Sequence, residues 1–211
     1  PLYFHLLSAA GSVEIIGHRI VWTLGTCLAL IAARRRWASL ARVCRTPRLL
    51  GALTVCGLLV SVNWLVYVYG VNTARTADAA LGYFINPLVT VALASLVLRE
   101  RLRPVHRVSI VLASAAVALL VVLQGSLPWI SLALAFSFAL YGLVKKRIGP
   151  DVDALTGLTV ESAVVAPIAL AYLSCLAWQG QSAWQAPDQG WQIMALLVVA
   201  GPVTAVPLLL F

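Results

Sequence analysis

Residues 13–36 read VEIIGHRIVWTLGTCLALIAARRR, a mostly apolar run from Val13 to Ala33 stopped by three arginines, Arg34 to Arg36. At 1.5 Å per residue, a helix of about 20 residues crosses a hydrocarbon core of about 30 Å. Guanidinium groups that end such a run stay in the headgroup layer. The pattern recurs along the chain. Thirteen of its fifteen Lys and Arg residues fall in three short segments, Arg34–Arg48, Arg99–Arg107 and Lys145–Arg147. Each basic segment is separated from the next by two apolar runs, so all three share one membrane face. Basic loops are retained in the cytoplasm, which orients the chain. The reading is an all-α, polytopic integral membrane protein of the inner-membrane type.

Composition sets the same bound. The chain is 62% apolar and 10% charged, with a mean hydropathy of +0.95, whereas soluble domains carry about 25% charged residues. The net charge of +8 does not point to nucleic acid, because the basic residues flank spans instead of covering one soluble face. Anionic lipid headgroups account for it. Cys27, Cys56 and Cys175 fall inside apolar runs and Cys44 in a basic loop; no pair has metal-ligand spacing. They read as small buried residues without a disulfide.

Spans are expected at about 13–33, 49–69, 79–98, 105–123, 127–144, 155–178 and 191–211. An apolar stub, Pro1–Ala10, precedes them. The chain starts with Pro, and the last span has no basic stop, so both ends look cut and the stub reads as half of a first helix. The outer loops hold Arg75, and Trp129, Trp178, Trp184 and Trp191 sit where interfacial tryptophans belong. Asn86-Pro87, Pro167, Gly201-Pro202 and Pro207 interrupt spans, each Pro removing a backbone hydrogen bond.

Polar side chains inside spans cost a few kcal/mol unless they face a partner or a wet cavity. Asn63, Tyr67 and Gly70 share one helix face, with Trp64 beside them. Tyr83, Asn86 and Thr90 share another. Two readings fit: hydrogen bonds between helices, or the wall of a solute cavity. Glu14 and His18, four apart near an outer interface, read as a surface pair or an N-terminal dipole effect. Arg19 lies deeper and needs a carboxylate or a cavity. Glu161 has no basic neighbour one turn away and reads as a ligand or proton carrier, or as the partner of a charge on another helix. Arg75 and Asp78 are expected to pair locally. Asp151 and Asp153 read as helix-start residues. No metal pair, nucleophile elbow or phosphate-binding loop is visible, so neither a cofactor nor catalysis is expected.

Several runs resemble one family. Ala79-Ala80-Leu81-Gly82-Tyr83-Phe84-Ile85-Asn86-Pro87-Leu88 is similar to the fourth-helix signature of RarD-type proteins, in the EamA branch of the drug/metabolite transporter superfamily. So are Gly17-His18-Arg19-Ile20-Val21-Trp22, Asn63-Trp64, Val71-Asn72, Gly125-Ser126-Leu127-Pro128 and the stretch from Leu134 to Val144. Leu98-Arg99-Glu100-Arg101-Leu102 resembles the end of that helix, with Arg99 in place of the family's Gly. The resemblance implies ten helices in two inverted five-helix repeats, with both termini cytoplasmic. Residues 1–125 would be the first repeat, its first helix truncated, and 126–211 the start of the second, lacking helices 9 and 10. It also implies a solute cavity near the bilayer centre between the repeats. Asn63, Trp64, Tyr67, Tyr83 and Asn86 would bind substrate there. Arg19 and Glu161 fall at related positions of the two repeats and, with His18, would serve coupling or gating. The implied function is transport of a small metabolite or drug-like solute by alternating access, in the direction of export, in a bacterial cytoplasmic membrane. The competing reading is a membrane protein that does not transport, an intramembrane enzyme or assembly factor acting through a loop residue such as Asp151 or Asp153.

Overall fold

The computed structural model describes residues 11–98, 104–124, 128–183 and 190–210. The Pro1–Ala10 stub, Arg99–Arg103, the Gly125–Leu127 boundary, Trp184 and Asp188 lie outside the described residues. Within them the chain is helical: α1 (Ser12–Ala33), α2 (Trp37–Arg45), α3 (Pro47–Asn72), α4 (Thr76–Leu98), α5 (Pro104–Gln124), α6 (Trp129–Ile148), α7 (Ala154–Trp178) and α8 (Gly190–Leu210). Five of these are long and apolar enough to cross a membrane: α1, α3, α4, α6 and α7. Helices α5 and α8 carry further apolar stretches, Val108–Leu119 and Gly190–Val206. Phe84, Leu96, Val122 and Ile168 point outward from their helices, as lipid-facing side chains do. The reading as an all-α polytopic membrane protein holds.

Helix α2 is the element that the charge pattern hides. Arg34–Arg48 reads as a basic loop, yet nine of its residues form a helix. Arg35 takes a left-handed backbone (φ 51°), turning the chain sharply between α1 and α2. Val43 is buried and Leu40 half-buried, one turn apart, while Arg42 and Arg45 are exposed on the other side. Two apolar anchors one turn apart lay the segment along its neighbours.

The start of α7 was legible. Asp153 is its N-cap: its carboxylate accepts from the Thr156 amide (3.1 Å) and the Thr156 hydroxyl (2.7 Å). Arg36 completes the cap with an ion pair to Asp153 at 3.1 Å. Burial pushes the Asp153 carboxyl up, but these hydrogen bonds and the Arg36 guanidinium outweigh it, and its pKa lies below the usual aspartate value.

The chain packs as two compact units, residues 1–61 with 147–211, and residues 62–146. This division follows packing, not sequence repetition, and leaves the expected repeat boundary near residue 125 as a separate matter. In the first unit α1 packs on α7 and α8, around Cys27, Ile31, Leu155, Leu158 and Ala205. A second cluster joins Val43, Leu49, Leu53, Ile148 and Val160. Lipid is as apolar as these side chains, so close backbone approach has to hold the helices together. Two glycines make it possible. A Cβ on Gly57 would lie 2.6 Å from the Glu161 carbonyl oxygen, and one on Gly201 would lie 2.4 Å from the Trp22 carbonyl carbon. In the second unit, Ala79, Ile130 and Leu134 form the core, with Val66 and Tyr67 against it.

Candidate functional site

The polar residues marked in the sequence fall into both units. In the second unit Asn63 is 1% exposed. Its amide nitrogen donates to the Leu134 carbonyl (3.0 Å) and to Ser137 Oγ (2.9 Å). Ser137 in turn donates to the same carbonyl at 3.2 Å. The Asn63 amide therefore fastens α3 to α6, the first of the two readings its face allowed. Ser137 lies within the family-like run of α6, but one serine among apolar residues carries no signal of its own.

One turn along α3, the Tyr67 ring meets the Tyr83 ring of α4 edge-on, centroids 5.8 Å apart. Tyr83 is exposed, and Trp64 and Asn86 are half-buried. Pro87 removes one rung of the α4 hydrogen-bond ladder directly after Asn86. Thr90 donates to the Asn86 carbonyl (2.8 Å) and lies 3.2 Å from Asn86 Oδ1. The structure thus joins Tyr67 with Tyr83 and Asn86 with Thr90, along one stretch of α3 and α4.

Toward the other end of these helices the expected Arg75–Asp78 pair is present at 2.8 Å. Arg75 also lies over the Trp129 ring at 6.0 Å, and Tyr69 packs on the same ring. Ser131 donates to the Asp78 carbonyl at 2.6 Å, tying α6 to the start of α4.

The first unit holds the ionisable groups marked inside spans: Glu14, His18, Arg19 and Glu161. Glu14 stands in the first turn of α1, as a dipole effect needs, but it is no surface group. It is 2% exposed, and its Oε1 accepts from the Ala183 amide at 2.9 Å, 169 residues away in sequence. His18 is buried as well. The reading of a surface pair is corrected on this point: Ala183, beyond the end of α7, meets this end of α1. Arg19 donates through Nε to Thr204 Oγ1 at 2.8 Å, and that hydroxyl donates to the Ala200 carbonyl at 2.7 Å. A hydroxyl, which the sequence reading did not consider, is thus among the partners of this cation.

Glu161 is 2% exposed. Its own backbone is the surface that Gly57 of α3 approaches. Thr159, on the same stretch of α7, is buried and donates its hydroxyl to the Leu155 carbonyl at 2.7 Å. In α1, Trp22 Nε1 and Thr23 Oγ1 are buried with no hydrogen-bond partner among the described residues, a cost of about 1–3 kcal/mol for each group so left. Neither was singled out, since tryptophan and threonine are ordinary in spans.

All four cysteines are free thiols; Cys27 and Cys56 are buried, Cys44 and Cys175 exposed. Cys44 and Cys175 therefore depart from their reading as buried residues: Cys44 is on the exposed side of α2 and Cys175 on an outward face of α7. Among the described residues, no group of three His, Cys, Asp or Glu is placed to hold a metal ion.

Spanning helices with a sparse set of buried polar groups define a multi-pass membrane protein, and the EamA-like transporter family model matches residues 2–122. The chain belongs to that family. It is 44% identical over 211 residues to Protein RarD of Streptomyces exfoliatus, covering all of this chain and 66% of that protein. An uncharacterized transporter of Vibrio cholerae is 43% identical, over all of this chain and 68% of its own length. The chloramphenicol-sensitive protein RarD of Pseudomonas aeruginosa is 31% identical, over 93% of this chain and 66% of its own. The chain thus spans about two thirds of the length of these curated relatives. No solved structure matches it.

Proposed function

We propose that this chain is part of a secondary transporter that moves a small, partly apolar solute across the bacterial cytoplasmic membrane. Transport proceeds by alternating access, in the direction of export, and the three basic segments face the cytoplasm. The observation that carries this reading is the Tyr67–Tyr83 ring pair with Asn86 one turn along α4, polar and aromatic groups at a depth where lipid-facing residues are apolar. Trp64 borders the same face, and Asn63 holds its backbone in place through α6. Glu161, a buried carboxyl in a span, is the candidate for a coupled proton, with Arg19 and His18 as the gating groups of the same unit. The relatives named as transporters support the class, and the family supports a small-molecule substrate.

The test is a thermal-shift screen of the purified whole protein in detergent against amino acids, nucleosides, sugars, organic acids and antibiotics, chloramphenicol included. Ligand at about a hundred times its dissociation constant stabilises the folded state by roughly 2.7 kcal/mol, or about 5–10 °C for a protein of this size. The expected result is a shift that Tyr83→Ala and Asn86→Ala abolish. A shift that survives both variants removes these residues from the site, and no shift with any class removes solute binding. In proteoliposomes Glu161→Gln is expected to flatten the pH dependence of flux; an unchanged profile takes Glu161 out of the mechanism.

A further inference from the structure

A cavity of about 390 Å³ lies in the first unit where α1 ends, α7 begins and α8 passes. Its apolar walls are Leu30, Leu155 and Val206; its polar rim is Arg34, Arg36 and Asp153. The volume falls within the 300–1,000 Å³ of small-molecule sites. Its chemistry is divided. Apolar side chains from spans meet two guanidinium groups, only one of which is held by the carboxylate, at 3.1 Å. Arg34 takes part in neither ion pair seen among the described residues and is exposed.

Beside this cavity lies α2. Its Leu40 packs on the same cluster as Leu30 and Leu155, so the helix flanks the rim. Trp37, at its first position, is 52% exposed, and Arg42 and Arg45 are exposed too. An amphipathic helix with an exposed tryptophan and arginines is the pattern that lies in the headgroup plane of a bilayer.

We infer that this cavity is a binding site for an anionic phospholipid: Arg34 and Arg36 hold its phosphate, and Leu30, Leu155 and Val206 line the path of its chain. Guanidinium forks match phosphate oxygens in pairs. A phosphate ester without a chain would gain nothing from the apolar walls, and a zwitterionic lipid would bring no net charge to the rim. Asp153 is the built-in competitor, because its carboxylate pairs with Arg36. The site rests on the proposed orientation, since that places it in the anionic cytoplasmic leaflet. It is independent of which solute is carried.

The experiment is native mass spectrometry of the whole protein, released from an uncharged detergent, with phosphatidylglycerol or phosphatidylcholine titrated in. Phosphatidylglycerol is expected to bind at least fivefold more tightly. Arg34→Gln, outside the α7 cap, should weaken it about fivefold, the share of one basic residue at an anionic surface. Asp153→Asn keeps the N-cap and releases Arg36, so it should tighten binding. Arg42→Gln with Arg45→Gln, in the same segment but off the cavity, should leave the affinity unchanged. Equal binding of the two lipids overturns the inference, and so does an equal loss in the Arg42/Arg45 variant. Stabilisation by sn-glycerol 3-phosphate to the same degree as by the lipid, or a weaker complex in Asp153→Asn, overturns it as well. The lipid discrimination is read on an unmutated protein, so a flux defect from failure of the transport reading does not mimic any of these results.

Discussion

Replacing Gly57 with alanine tests whether close backbone approach holds the first unit together. The added Cβ would stand 2.6 Å from the Glu161 carbonyl oxygen and 3.2 Å from its Cα and carbonyl carbon. All three are backbone atoms of α7, so no side-chain rotation relieves the contact, and α3 and α7 have to move apart. Overpacking of this kind costs about 1–3 kcal/mol. Against it stands the gain in helix propensity, roughly 1 kcal/mol for alanine over glycine. Gly51, six residues earlier in α3, supplies the matched control, since a Cβ there meets nothing within 4 Å. Gly51→Ala is therefore neutral to slightly stabilising, while Gly57→Ala sets the same gain against the clash. The propensity gain is common to both, so the two variants should differ by the clash alone, about 1–3 kcal/mol, a gap of roughly 2–12 °C in unfolding temperature for a chain of this size. Thermal unfolding of both in one detergent, followed by tryptophan fluorescence, reads the difference. Equal unfolding temperatures would refute the idea that α3 and α7 are in backbone contact at Glu161.

Asn63→Ala removes two hydrogen bonds to α6 and should lower stability by about 0.5–2 kcal/mol, the range for polar contacts between membrane helices; thermal unfolding of the ligand-free protein measures it. The Asp153 carboxyl lies below its usual pKa, so it favours the folded state while ionised. That contribution is complete above the ordinary aspartate range and is lost as pH falls through the folded-state value. Melting temperatures from pH 7 down to pH 3 should fall less steeply for Asp153→Asn, which keeps the cap but cannot titrate. Cys44 is exposed beside the basic segment, so an impermeant maleimide should label it only after intact cells are permeabilised. Labelling of Cys44 in intact cells, read in a Cys175→Ser background, would invert the orientation.

The spans were legible because length and apolarity are one-dimensional properties: a bilayer demands about 20 apolar residues wherever they fall. Local pairs were legible for the same reason. Arg75 with Asp78 and Asp153 with Thr156 are each three residues apart, and helix geometry alone brings them together. Helix α2 was not, because six arginines in fifteen residues mask the spacing of Leu40 and Val43. Neither were the partners of Glu14 and Arg19, which are 169 and 185 residues away. Sequence spacing can mark a buried charge as costly, but only packing says which backbone amide or hydroxyl meets that cost.

That limit bears on how the face of Asn63, Tyr67, Tyr83 and Asn86 is to be weighed. The sequence makes the two amides equivalent, and the structure separates them. Asn63 is buried with its nitrogen spent on α6, whereas Asn86 is half-buried next to an exposed tyrosine. On the proposed reading a solute at this face meets two phenol rings before it meets an amide. Stacking on aromatic faces favours flat, partly apolar molecules, while a sugar or a polycarboxylate would leave polar groups unmatched against Tyr67 and Tyr83, at a cost of about 1–3 kcal/mol each. This ranks flat, aromatic compounds above sugars and organic acids in the ligand screen, and a strong shift with a dicarboxylate would reverse that order.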